Sequence, residues 1–242
     1  MDDLNLCTKY MPVFHKDKYE KEELTNLNEY VINKTIVHDN SLCCHIRKDA
    51  DRTFIYYFSY YTRDDGIAYF GHEIESHPYD LEQVVIEISA NDHISGVYYF
   101  PHGAIEHFKI SGNDLNFVLQ DNRPLVYSSR GKHAQYAISG RIFRYFGAAN
   151  DICTPIKIDT KCVMASDYLL NLSQIDNVFA GIKDRIVQDL SLVNSVPLNL
   201  VRYHMAFVVP KAVKTSVIAN KVPVAFMFFL VLAIAIIVSF KH

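Results

Sequence analysis

Thr53-Phe54-Ile55-Tyr56-Tyr57-Phe58-Ser59-Tyr60-Tyr61 is the stretch that decides the fold class. Almost every side chain in it is β-branched or aromatic, the types that fit a pleated, packed surface, so it reads as a strand. Working outward, Gln83 to Ile88, Gly96 to Phe100, Asn116 to Leu119 and Pro124 to Ser128 are further short runs rich in Tyr, Phe, Val and Ile, divided by polar turns. Strands at such intervals predict a mainly β protein built as a two-sheet β-sandwich. Several runs are apolar at consecutive positions, as in Val84-Val85-Ile86, so some strands are expected to be central and covered on both faces.

A helical pattern comes only later. Ser173 followed by Asp176 resembles a capping box, and Ile175, Phe179, Ile182, Ile186 and Leu190 then recur at three- and four-residue steps until Pro197. This predicts an appended amphipathic helix near 173–191 packed on the sandwich. Residues 8–200 are expected to form that domain, and 201–221, which mix apolar residues with Arg202, His204 and Lys211, a last strand and a linker. From Val222 to Phe240 there follow 19 uncharged residues, Phe226, Phe229, Leu232 and Ile236 among them. At about 1.5 Å per residue they match the roughly 30 Å hydrocarbon core, which predicts a C-terminal transmembrane helix inserted in a lipid bilayer. Lys211, Lys214 and Lys221 precede the span against Lys241 after it, so the charge rule puts the N-terminal domain on the cytoplasmic side of a single-pass, tail-anchored protein.

Composition narrows the rest. The 242 residues are half apolar, which excludes intrinsic disorder. With 24 Lys+Arg against 27 Asp+Glu the chain has no electrostatic footprint for nucleic acid. The start has no basic region followed by an apolar stretch, so no cleaved secretory signal is expected, and Asp2 excludes the usual myristoylation signal. Five cysteines, at 7, 43, 44, 153 and 162, are too few and too irregular for a disulfide scaffold or a zinc knuckle, and they do not fix the redox compartment. There is no Gly-x-Ser-x-Gly elbow and no glycine-rich phosphate loop. Cys43-Cys44 beside His45 reads as structural rather than as a thiol site.

Any chemistry therefore falls to histidines and carboxylates at strand edges: Gly71-His72-Glu73, then His77-Pro78-Tyr79-Asp80-Leu81-Glu82 ahead of Val84. In an extended segment Asp80 and Glu82 project to one face, and His77 in the preceding turn can fold towards them. Two carboxylates and an imidazole at one spot suit a divalent cation, calcium or magnesium where oxygen ligands dominate. His102 in Pro101-His102-Gly103 and His133 in Gly131-Lys132-His133 each follow a strand and sit beside a glycine-bearing turn, so they are candidates for the same cleft. Solvated loop residues without an ion are the plain alternative.

Four segments, in order, resemble a known family. Tyr10-Met11-Pro12 with Asp17-Lys18-Tyr19, Ile55 to Tyr61 followed by His77 to Glu82, Val97 to Gly103, and Arg123-Pro124-Leu125-Val126-Tyr127-Ser128-Ser129-Arg130-Gly131-Lys132-His133-Ala134-Gln135-Tyr136 are similar to motifs of the vacuolar protein sorting-associated protein 62 family. More distantly they are similar to the necrosis- and ethylene-inducing-like proteins. The resemblance covers about residues 8–140 and implies a β-sandwich. It also lays His77, Asp80 and Glu82 on three positions of a Gly-His-Arg-His-Asp-Trp-Glu element that surrounds a divalent cation in the cytolysin-like relatives. Ser76, Pro78, Tyr79 and Leu81 depart from that element, and the loss of its second histidine at Tyr79 weakens the implied site.

Two function classes follow. One is a non-enzymatic, membrane-anchored interaction or structural module, metal-supported, that meets a protein, glycan or lipid headgroup; trafficking proteins and membrane proteins of large DNA viruses have this layout. The other is a metal-dependent hydrolase with Glu82 or Asp80 as general base, or a membrane-active cytolysin-like protein.

Overall fold

A computed structural model of the chain describes residues 2–49, 51–69, 72–74, 76–103, 106–110, 118–144, 150–166 and 207–208. Met1–Pro210 form one compact unit and Lys211–His242 a second, which lies wholly outside the described residues. The predicted helix 173–191 and the predicted span 222–240 lie outside them as well. Among the described residues no helix is long and apolar enough to cross a membrane.

The unit is mainly β with mixed sheets. The larger sheet has six strands: β2 (Ser41–Asp49), β3 (Arg52–Asp64), β6 (His77–Ile88), β7 (Ile94–Tyr99), β8 (Glu106–Lys109) and β15 (Lys161–Met164), in the order β15-β2-β3-β6-β7-β8. All its ladders are antiparallel except the edge pair β15/β2. The second sheet runs β11 (Gln135–Tyr136), β10 (Arg123–Ser128), β1 (Val13–Asp17), β14 (Pro155–Lys157), with β1 parallel to β10 and β9 (Leu119–Gln120) folded back on β10. β12 (Gly140–Phe143) joins β13 (Asp151–Cys153) and β16 (Phe207–Val208), and β4 (Ile67–Tyr69) pairs with β5 (His72–Ile74).

The consecutive apolar runs have their reason in this layering. Ile55, Tyr57, Tyr61, Val84, Ile86, Val97 and Tyr99 point to one face of the large sheet and pack with Phe14 of β1 and Val126 of β10. Phe54, Tyr56, Phe58, Tyr60, Leu81, Val85 and Tyr98 point to the other face and pack with Leu27 and Val31. β3 and β6 are thus central and covered on both sides. Each fully buried side chain of this size contributes roughly 1.5–3 kcal/mol.

Two short helices were not expected from the sequence. α1 (Asp3–Tyr10) is capped by Asp2, whose carboxylate accepts from the Asn5 N–H at 2.8 Å, and it buries Cys7 and Tyr10. α2 (Leu27–Asn33) is capped by Asn26 and ended by Lys34 in the left-handed region, and it buries Leu27 and Val31. Each spans about two turns, too short for a periodic pattern to stand out. The run read as Asn116 to Leu119 is described only from Val118, a turn residue, and its strand is Leu119–Gln120. A disulfide joins Cys44 to Cys162, and so β2 to β15.

Candidate metal centre

β3 and β6 bring the first candidate ligands together at their outer end. Antiparallel pairing sets Asp64 opposite His77, Arg63 opposite Pro78 and Tyr61 opposite Asp80. In a regular strand His77 and Asp80, three residues apart, face opposite sides. Tyr79 removes that conflict: its φ of 67° is a left-handed conformation, uncommon for a non-glycine residue, and the kink turns His77 and Asp80 towards one spot. One ligand atom each from Asp64, His77 and Asp80 lies within 4.8 Å of the others, with His77 Nε2 3.6 Å from Asp64 Oδ2. Ligands of a hard cation bonded at about 2.0–2.6 Å stand no further apart than about 4–5 Å, so the donor set fits such an ion. Burial, followed by the charge of Asp80, pushes the Asp64 carboxyl above the usual carboxylate range, a penalty a cation would relieve.

Behind this trio stands a buried network that the second sheet supplies. The turn after β10 is held by the Ser129 N–H donating to the Ala134 carbonyl and the His133 N–H donating to the Ser129 carbonyl, both at 3.0 Å. Gly131, at φ +72°, allows it; a Cβ there would stand 3.3 Å from the Asp65 side chain. The turn puts the His133 ring flat on Tyr61, with centroids 3.6 Å apart, and its Nδ1 3.0 Å from Asp80 Oδ2. His133 Nε2 lies 3.4 Å from Glu20 Oε2, a contact too poorly aligned for a hydrogen bond but close enough for an ion pair. Burial alone would lower the His133 pKa, yet Asp80 and Glu20 outweigh it and raise it to about 9. Glu20 in turn is held down at about 2 against its own burial, by His133 and by the Gly131 N–H. His133 thus sits between the Asp80 and Glu20 carboxyls, an arrangement that favours its protonated form.

Of the five residues read from the sequence, His77, Asp80 and His133 meet. Glu82 is buried two residues beyond Asp80, among the side chains of the same face. His102 does not join them. Its Nε2 is 2.7 Å from Asp151 Oδ2 in a separate cluster, where Lys132 Nζ at 3.1 Å, Arg144 Nη1 at 3.5 Å and the Tyr136 hydroxyl also meet that buried carboxylate. These partners hold the Asp151 carboxyl well below the usual range although burial opposes them. Lys132 and His133 are neighbours in one tight turn, so each can serve a different cluster. The sequence reading missed Asp64 and Glu20. Asp64, in Asp64-Asp65-Gly66 at the end of the deciding strand, carried a readable turn signal; Glu20, some sixty residues from Asp80, carried none.

Beside His77 opens a cavity of about 230 Å³, lined by Thr62, Arg63, Ser76, His77 and Pro78.

No family model and no curated protein matches the chain, so the likeness to the vacuolar protein sorting-associated protein 62 family stays one of motifs. Solved structures do match. A necrosis and ethylene inducing protein from the causal agent of cocoa's witches' broom disease is 14% identical at a TM-score of 0.43, over 66% of this chain and 72% of that one. NLPPya in complex with glucosamine is 11% identical and NLPPya in complex with mannosamine 12%, each at a TM-score of 0.47 over 76% of this chain and 88% of the other. These belong to the toxin-fold proteins that the motif order resembles distantly, and at such scores nothing about residues or activity is carried across.

Proposed function

We propose that this chain is a membrane-anchored, non-enzymatic binding module in which Asp64, His77 and Asp80 hold one divalent cation at the rim of the β domain. The 230 Å³ cavity beside His77 then takes a polar group, a glycan or lipid headgroup whose oxygens complete the cation's shell. The observation that carries this reading is the convergence of two carboxylates and an imidazole, from both central strands, with the imidazole of His77 also lining the opening. The donor set favours calcium or magnesium over softer metals. His133, whose Nδ1 stands 3.0 Å from Asp80 Oδ2, holds that carboxyl in place from behind. Amino sugars bound by two of the similar structures belong to those proteins; here glucosamine is simply the first probe.

The test is calorimetry on the full chain in detergent micelles, titrated with calcium, magnesium, manganese and zinc and then with glucosamine. A millimolar or tighter heat from a hard cation is expected. No heat and no thermal shift at millimolar ion would retire the cation.

For the anchor we keep residues 222–240, with 201–221 leading to them. The three preceding lysines favour a cytoplasmic domain. The Cys44–Cys162 disulfide favours the opposite side, since cytosolic thiols are kept reduced. Asn33, exposed at the end of α2 in an Asn-Lys-Thr acceptor, separates the two: glycosylation there puts the domain in the lumen.

A further inference from the structure

Cys44 and Cys162 are not alone. The Sγ atoms of Cys7, Cys44 and Cys162 all lie within 4.8 Å of one another, though only two of them are bonded. A cross-link between β2 and β15 needs two sulfurs, and the third is brought in from α1, a separate element docked by Cys7 and Tyr10. The Cys7 carbonyl accepts from the Tyr57 hydroxyl at 2.8 Å, which fixes the helix at this point against β3. The other two cysteines are elsewhere: Cys43 faces the opposite side of the large sheet, and Cys153 lies on β13.

We propose that Cys7, Cys44 and Cys162 form a thiol–disulfide exchange site, in which the bond between Cys44 and Cys162 passes to Cys7 and Cys44 and sets free the Cys162 thiol for modification by small electrophiles or thiols.

The step balances within the chain. The Cys7 thiol gives up a proton, matched by the one that Cys162 takes up at the end, and its thiolate attacks Cys44 Sγ. The Cys44–Cys162 bond breaks, and its electron pair leaves with Cys162 Sγ, which takes up a proton. One S–S bond forms and one is lost, so no oxidant is required. The direction follows from burial. Cys7 and Cys44 have no exposed surface, while Cys162 is half-buried on the edge strand β15. A thiolate leaves more readily where water can solvate it, which selects Cys162 as leaving group and Cys44 as the sulfur attacked. Burial, with Asp3 adding to it, pushes the Cys7 thiol up to about 12, so exchange is slow at neutral pH and speeds up with alkalinity. After the step β15 has lost its covalent tie to β2 and is held by non-covalent contacts, among them the four ladder pairs from Lys161 with Ser41 to Met164 with Cys44 and the Lys161–Asp39 ion pair.

The test uses the full chain purified without reductant in detergent micelles. Iodoacetamide is added at pH 7 and at pH 9, the reaction is stopped with acid, and the unreduced peptides are mapped. A Cys43→Ala background leaves Cys44 as the one cysteine in its peptide. Expected are a Cys7–Cys44 linked peptide and alkylated Cys162, accumulating about tenfold faster per pH unit. Cys7→Ser and Cys7→Ala should each cut Cys162 labelling to a tenth or less. The proposal is overturned if Cys44–Cys162 stays the only linkage at pH 9 with Cys162 unlabelled. Labelling of Cys162 at an undiminished rate without Cys7 overturns it equally, because the label would then report reduced protein. Should both Cys7 variants fail to fold, the linkage map of the Cys43→Ala chain alone decides.

Discussion

Replacing Asp80 by Asn tests the metal centre, because it removes one charge and keeps the shape of a side chain with no exposed surface. Two effects separate. Without added ion, His133 loses a charged partner at 3.0 Å, a loss of about 1.5–3 kcal/mol for a hydrogen bond to a charged group. Part of this returns, since Asp64 no longer faces a second carboxylate. With ion the expectation is sharper. A site of two carboxylates and one histidine belongs with weak calcium modules, with Kd on the order of 0.1–1 mM. At 10 mM ion the native state then gains about 1.4–2.7 kcal/mol by mass action. For a domain of this size that raises Tm by about 3–11 °C. In Asp80→Asn, and likewise in Asp64→Asn, the ion-dependent part should fall to near zero. Asp151→Asn, in the other carboxylate cluster, should lower the starting Tm and leave the ion-dependent part intact. Differential scanning calorimetry of the four proteins with and without calcium or magnesium measures this directly. An ion-induced shift as large in Asp80→Asn as in the parent would refute the assignment of Asp64, His77 and Asp80, whatever the variants did to stability.

Four further outcomes are expected. Asp151→Ala removes the carboxylate that faces the buried Lys132 ammonium and should cost about 3–5 kcal/mol in denaturant unfolding, whereas an effect under 1 kcal/mol would mean that the cluster is already solvated. Glu106 is pushed up from 4.5 to about 7 by burial, so the folded state holds its proton longer; stability should fall by about 2–3 kcal/mol as pH rises from 4.5 to 7, and Glu106→Gln should flatten that slope in melts taken across the range. Gly131→Ala places a Cβ at φ +72° against Asp65 and should cost about 1–2 kcal/mol, read as a Tm drop of a few degrees; an unchanged Tm would show that the turn carrying His133 is free to move. Leu232→Arg should add roughly 2.5–3.5 kcal/mol to the insertion cost if it lies at the centre of the proposed span, and carbonate extraction should then release the chain; firm retention would mean that 222–240 is not the main anchor.

How much of this was legible follows from where each constraint is written in the chain. The strands Arg52–Asp64 and His77–Ile88 could be read because a sheet covered on both faces needs apolar side chains at consecutive positions, and Thr53 to Tyr61 and Val84-Val85-Ile86 supply them. Pairings between distant segments could not be read. β1 and β10 run parallel with Val13 beside Leu125, and β15 beside β2 sets Lys161 next to Ser41, yet no local pattern records the partner of a strand. The same limit hid the disulfide: Cys44 and Cys162 are 118 residues apart and meet only because β15 closes the edge of the sheet.

The site divides along the same line. Spacing within one strand gave Asp80 and Glu82 a common face, and the structure keeps both buried on it. Spacing alone would have sent His77 to the other face, and it was read instead as part of a turn. It lies within β6, exposed at the strand's outer end and brought to the side of Asp80 by one left-handed residue, Tyr79, at the very position where the resembling motif has its second histidine. The departure that looked like a lost ligand is thus also the hinge that brings His77 to Asp80. Tyr79 packs its ring, tilted by 41°, against Tyr30 of α2 with centroids 5.7 Å apart, so the kinked residue is braced by the helix. The kink at Tyr79 thus sets His77 beside Asp80 with no histidine at position 79, and it leaves Asp64 close enough to Asp80 for the charge of the second carboxyl to raise the first.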